Sequence, residues 1–190
     1  HQGATGNTLT KFLVVFDVDS TLIEQEAIEL LAAHSHSGEL VQEITERAMR
    51  GEIDFTQSLI ERVATLKGLP DSIFAEVSKS LTLTKGAVEL VAEIHAQGGK
   101  AAAVSGGFIQ LLDPIRSSLQ LDFAAANTLG VRDGLLTGEV EGEIVNRQAK
   151  ADYLMKWSSE LGLDPSKTIA VGDGANDLGM MEVAGLSVAF

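Results

Sequence analysis

Residues 12–19 read Phe12-Leu13-Val14-Val15-Phe16-Asp17-Val18-Asp19, an unbroken apolar run leading straight into two acids two positions apart. An apolar run that short, closed by polar residues, suits a strand buried on both faces, as strands of parallel sheets are. Residues 101–104, 168–171 and 186–190 have the same character. Between these runs the apolar residues fall at helical spacing: Val88, Val91, Ala92 and His95, then Phe108, Leu111, Leu112 and Ile115, then Tyr153, Leu154, Trp157 and Leu161. Strands alternating with helices predict an α/β fold, a Rossmann-like doubly wound parallel sheet with helices on both faces.

Two stretches interrupt that rhythm. Residues 24–83 hold no convincing strand, but Leu40, Ile44 and Ala48 recur every four residues, as do Phe55, Leu59 and Val63, and Ile73, Phe74 and Val77 add a third stripe. They predict a helical cap inserted after the first strand. Residues 124–145 alternate around glycines (Leu135, Leu136, Gly138, Val140, Gly142, Ile144), which predicts a small β-hairpin insertion. The expected organisation is a catalytic α/β core over residues 8–23 and 84–190, and a helical cap domain over 24–83.

The chain has 190 residues, 45% of them hydrophobic and 22% charged, which suits one core plus an insertion. It has no cysteine, which removes disulfides, thiolate metal sites and cysteine nucleophiles together. A formal charge of −13 speaks against nucleic acid and anionic membranes as partners, since both call for a basic face. No stretch approaches the roughly 18 apolar residues of a membrane span, and residues 1–10 are polar, so a cytoplasmic location is expected. The start at His1 rather than Met is compatible with a piece of a longer chain.

In open parallel sheets ligands bind beyond the carboxyl ends of the strands. The expected strands deliver Asp17, Ser105 and the pair Gly172-Asp173 to that edge. Asp17 and Asp19 would share one side of an extended chain, where repulsion splits their pKa values or a cation joins them. Asp173 and Asp177, from the loop Gly172-Asp173-Gly174-Ala175-Asn176-Asp177, add two more carboxylates. Four hard-oxygen groups without Cys or a suitable His indicate Mg²⁺. An EF-hand is excluded because Leu22 and Leu178 stand where its central glycine belongs. The dinucleotide fingerprint fails at Asp177, whose charge would repel a pyrophosphate, and no Walker-type loop occurs. Ala103-Val104-Ser105-Gly106-Gly107 approaches the nucleophile elbow of serine hydrolases, yet all four histidines precede Ser105, the wrong order for that triad. Ser105 with the N–H groups of Gly106 and Gly107 would instead hold an anion, and Lys150 could add positive charge. Together these parts suit phosphoryl transfer: Asp17 attacks, while Asp19 protonates the leaving alkoxide and later takes a proton from water. His34 and His36 lack a third ligand and receive no role. Tyr153 and Trp157 read as core packing rather than a base-stacking platform.

Asp17-Val18-Asp19-Ser20-Thr21, Ser105-Gly106-Gly107-Phe108, Lys150 and Gly172–Asp177 resemble the four motifs of the haloacid-dehalogenase-like phosphatases, and within them the phosphoserine phosphatase family. The resemblance spans residues 12–190. It implies a Mg²⁺-dependent phosphatase that hydrolyses O-phospho-L-serine to L-serine and phosphate through a phospho-aspartate, the last step of serine biosynthesis. Asp17 would be the nucleophile, and Asp19 the acid/base. Asp17, Asp173 and the backbone carbonyl of Asp19 would hold the metal, supported from behind by Asp177. Ser105, Gly106 and Lys150 would hold the phosphate, with Asn176 near it. In the cap, a buried Glu26 would take the ammonium and a buried Arg62 the carboxylate, with Met49 and Phe55 as apolar lining. The alternative keeps the chemistry but uses another small amino-acid-like phosphomonoester, or transfers the phosphoryl group to an acceptor. The expected partner is a small-molecule substrate; oligomeric state is not legible. Relatives usually continue beyond the position of Phe190 with a segment that covers the sheet.

Overall fold

The structure, a computed structural model, describes residues 9–190; residues 1–8, including the first residue assigned to the core, lie outside it. The opening run forms strand β1 (Phe12–Phe16) at the centre of a six-stranded sheet. The other strands are β2 (Gly99–Phe108), β3 (Phe123–Arg132), β4 (Leu135–Glu141), β5 (Thr168–Gly172) and β6 (Leu186–Ala189), in the order β4-β3-β2-β1-β5-β6. Every neighbouring pair is parallel except β3 and β4. Side chains of β1 alternate between two cores, as a doubly covered strand requires. Val14 and Phe16 pack with α5 (Ala87–Ala96) and α6 (Ile109–Leu119) on one face. Leu13 and Val15 meet α7 (Arg147–Glu160) and α8 (Leu178–Val183) on the other. Trp157 lies in this second core, its ring stacked 5.5 Å from Phe123 and tilted against Tyr153 at 5.2 Å, which is packing, as expected.

Between β1 and β2 the chain forms α1 (Ala27–His34), α2 (Gly38–Met49), α3 (Phe55–Ala64) and α4 (Ile73–Ser78), which pack around Leu31, Val41, Leu59 and Val77 in a core that Phe108, Leu111, Leu129 and Leu136 of the α/β part complete. Entry and exit run side by side: Ile23 bridges Leu83, Glu24 N–H donates to Thr82 O at 2.9 Å, and Thr84 N–H to Leu22 O at 2.8 Å. A second attachment joins the loop after α3 to β4, through Gly68 N–H to Leu136 O (2.9 Å) and Leu136 N–H to Leu69 O (2.8 Å).

The expected hairpin is present, β3 pairing antiparallel with β4, and β3 also pairs parallel with β2, so the hairpin extends the main sheet. Two helical stripes need correction. On α5 the buried stripe is Ala87, Val91 and Ile94, whereas Val88 is half exposed. On α2 it is Val41 and Ile44, and Leu40 faces outward. Among the described residues no helix is long and apolar enough to cross a membrane.

Candidate active site

Asp17 follows directly from β1, its N–H held by Val171 O of β5 at 2.8 Å. The chain then leaves the sheet in a tight turn, with Ser20 in the left-handed region at φ 57°. Asp17 and Asp19 do face one cavity, but the turn brings them there and not the alternation of a continued strand. The cavity measures about 570 Å³ and opens between the carboxyl edge of the sheet and helices α1–α3.

Lys150, on the inner face of α7, is completely buried. Its Nζ donates to Asp17 Oδ1 at 3.1 Å and to Asp177 Oδ1 at 2.6 Å. The other oxygen of Asp177 accepts the N–H groups of Asp173 (3.2 Å) and Gly174 (3.1 Å), so one carboxylate fixes both the lysine and the loop after β5. Only glycine fits at position 172, where a Cβ would stand 2.5 Å from Asp177 Oδ2. Oxygens of Asp17, Asp173 and Asp177 lie within 4.8 Å of one another, a hard, acidic set with a surplus of negative charge beside one lysine. That donor chemistry fits a hard divalent cation. The carboxylate of Asp19 stands apart from this group, near Gly107 and Glu26.

Burial dominates the electrostatics. It pushes the Asp17 carboxyl up to about 8, against the pull of Lys150 and with the help of repulsion from Asp177. Asp19 is raised to about 7, again by burial and then by the charge of Glu26. Lys150 is held above its ordinary value: burial opposes its charge, and Asp17 and Asp177 more than offset that.

Ser105 ends the regular part of β2, is buried, and its Oγ accepts Gly107 N–H at 2.8 Å. A Cβ on Gly106 would come 2.7 Å from the Phe55 ring, so this turn requires glycine for close approach of the α3 aromatic. Asn176 lines the same wall. Across the cavity, Glu26 accepts the Ser20 hydroxyl at 2.9 Å and is raised in pKa, chiefly by burial of its carboxyl. Arg62, with Nε on Ser58 O at 3.3 Å, is lowered by burial against the attraction of Glu26 and Asp19. The structure thus gathers every expected residue around one cavity or directly behind it, but two are more open than anticipated. Glu26 is solvent-exposed and Arg62 only half-buried, because the cavity mouth lies between them. Met49, at the end of α2, sits on the rim and is 82% exposed. Sequence reasoning missed Ser20, Ile28, Ala48 and Leu59; the last three complete the apolar wall, and only the fold brings them to it. His34 and His36 are exposed at the far end of α1.

The model of the haloacid dehalogenase-like hydrolases matches residues 14–182. The phosphoserine phosphatase of Streptococcus thermophilus is 54% identical over 180 residues, covering 95% of this chain and 84% of the relative. That of Haemophilus influenzae is 51% identical over 178 residues, 94% of this chain but 57% of a longer relative. A solved structure of a phosphoserine phosphatase with an analogue of the phospho-aspartyl intermediate superposes with a TM-score of 0.90 at 44% identity, over 95% of this chain and 87% of the other. A substrate-bound phosphoserine phosphatase complex does so equally, with a TM-score of 0.90 at 44% identity over 95% and 86%. The chain belongs to the haloacid dehalogenase-like hydrolases, within the family of the phosphoserine phosphatases.

Proposed function

We propose that the chain hydrolyses O-phospho-L-serine to L-serine and phosphate, carrying the phosphoryl group transiently on Asp17. The observation that carries this reading is the buried Asp17–Lys150–Asp177 cluster facing Glu26 and Arg62 across one cavity. One end can neutralise a phosphate, while the other offers an acid for an ammonium and a guanidinium for a carboxylate. An Asp17 oxygen attacks phosphorus, the P–O bond to serine breaks, and Asp19 gives its proton to the departing alkoxide. Burial raises the Asp19 carboxyl to about 7, so part of it carries that proton at neutrality. Asp19, now a carboxylate, takes a proton from water, which attacks the phospho-aspartate, frees phosphate and restores Asp17. Ser105, the Gly106 N–H and Lys150 hold the equatorial oxygens, and Asn176 borders them.

Mg²⁺ would be held by Asp17, the Asp19 carbonyl and Asp173, with Asp177 steadying Asp173 from behind. When bound, it offsets the charge that keeps a carboxylate and a phosphate dianion apart. Met49 and Phe55 form the apolar lining beside Glu26 and Arg62. Chemistry then belongs to residues 8–23 and 84–190, and substrate choice to 24–83. A charged phosphomonoester does not cross a bilayer unaided, so an enzyme that consumes it belongs where it is made, and we place this one in the cytoplasm.

The test is phosphate release from a panel of phosphomonoesters, with a chelator control and with homoserine as acceptor. Phosphoserine as the preferred substrate supports the reading. A different preferred amino-acid-like phosphomonoester, or transfer to homoserine, supports the alternative.

A further inference from the structure

Strand β3 carries one polar residue that faces no solvent: Asn127 is 0% exposed. Asn is depleted in strand interiors, so its amide calls for a physical reason. The pairing of β2 with β3 supplies one. Val104 stands opposite Ala125 and Phe108 opposite Asn127, so residues 105–107 of β2 face Ala126 alone. The ladder is interrupted where Ser105-Gly106-Gly107 bulges towards the cavity. Backbone groups in such a bulge lose their partners on the neighbouring strand. Asn127 replaces one of them: its Nδ2 donates to Gly106 O at 3.0 Å. The other end of the same amide accepts Val145 N–H at 2.7 Å, which fixes the donor end towards Gly106.

The Gly106 carbonyl and the Gly107 N–H belong to one planar peptide, and they point in opposite directions. A donor on that carbonyl therefore aims the Gly107 N–H, which is the group that donates to Ser105 Oγ at 2.8 Å. A hydroxyl that accepts from behind has its own proton free for an anion in front. We propose that Asn127 is a positioning residue for phosphate binding: through the Gly106–Gly107 peptide it holds the Ser105 hydroxyl in its donating orientation. This rests on the reading that Ser105 holds the phosphoryl group.

Gln110 provides the control. Its amide pairs with Leu129 on the same strand (Nε2 to Leu129 O at 2.8 Å, Leu129 N–H to Oε1 at 3.2 Å) and not with the 105–107 turn. The experiment measures inhibition by inorganic phosphate, and kcat/KM on O-phosphoserine and on an aryl phosphate, in the Mg²⁺-loaded protein. Asn127→Leu, of similar size but without a donor, should raise the phosphate inhibition constant about tenfold and lower kcat/KM on both substrates alike; residues in one hydrogen-bond network couple by factors of about 2 to 150. In a Ser105→Ala background the same replacement should change the phosphate constant less than about threefold. Gln110→Leu should leave it within about twofold. Equal losses from Asn127→Leu with and without Ser105, or a loss from Gln110→Leu as large, would overturn the proposal, because a purely structural role predicts both. If Asn127→Leu does not fold, Asn127→Ser is put through the same cycle with the same criteria. Failure of Ser105→Ala itself to weaken phosphate binding would instead overturn the functional reading.

Discussion

Replacing Lys150 by Met keeps a long unbranched side chain in the core but removes the cation that joins Asp17 to Asp177. Two carboxyl groups, 7% and 0% exposed by residue, are then left facing each other without it. Removing one partner of a buried ion pair costs about 3–5 kcal/mol. At roughly 2–4 °C per kcal/mol for a chain of this size, the melting temperature should fall by about 6–20 °C. The assay is a thermal melt followed by circular dichroism, in a chelator, at pH 8 and at pH 5. Burial already holds the Asp17 carboxyl above its unfolded value, and without the pull of Lys150 it sits higher still. The unfolded chain then gives up protons that the folded one retains as pH rises, so the deficit should be larger at pH 8 than at pH 5. Millimolar Mg²⁺ should recover part of it, since a cation bound only to the folded cluster stabilises by mass action. A mutant melting within about 2 °C of the wild type at pH 8, or one with an equal deficit at both pH values, would refute the view that Lys150 is what makes burial of these acids tolerable.

Asp17→Asn should abolish phosphate release, and Asp19→Asn should slow both formation and breakdown of the phospho-enzyme by about 10²–10⁴, read by rapid-quench labelling. Arg62→Ala should raise KM for phosphoserine with little change on an aryl phosphate; parallel losses on both would contradict its role. Asp17, raised to about 8 in the metal-free protein, must lose a proton to ligate a cation. Mg²⁺ affinity measured by calorimetry should therefore climb between pH 6 and about 8, with proton release that varies with buffer. The chain is acidic overall, at −13, so nothing steers an anionic substrate towards it from a distance. Added salt should accordingly leave kcat/KM on phosphoserine unchanged or slightly improved, and a steep fall would point to a basic approach path.

The parts of the fold that could be read beforehand are those where one residue type does one job. The run 12–16 is apolar throughout because both its faces are covered, so it announced a central parallel strand without tertiary information. For β3 the alternation predicted a hairpin strand, but Ala124, Ala125 and Ala126 gave no sign that it also pairs with β2 and joins the main sheet. On α2, spacing could not separate Leu40 from Val41, because which of two adjacent residues faces inward depends on where the cap core lies. The acids at strand ends were legible for a topological reason: every strand end in a parallel sheet arrives at the same edge. The exposure of Glu26 was not, because it lies at a cavity mouth whose opening depends on how the cap helices sit over the sheet, which no local pattern encodes.

The site holds five carboxylates, Asp17, Asp19, Glu26, Asp173 and Asp177, against the cations Lys150 and Arg62. A cleft so charged should reject a phosphate dianion; burial first, and then repulsion from Asp177 and Glu26, raise the pKa values of Asp17 and Asp19 in it. The same surplus becomes useful once a divalent cation joins the cluster at one end and the substrate's ammonium meets Glu26 at the other. Each ligand then removes a repulsion that is present before binding, and the proton remaining on Asp19 is the one the leaving group needs. A neutral cleft of the same shape would bind phosphate more readily but would supply neither the ionised nucleophile nor the acid. The acidity of the site is thus a condition of its chemistry, and Lys150, locked between Asp17 and Asp177, makes that acidity compatible with a folded core.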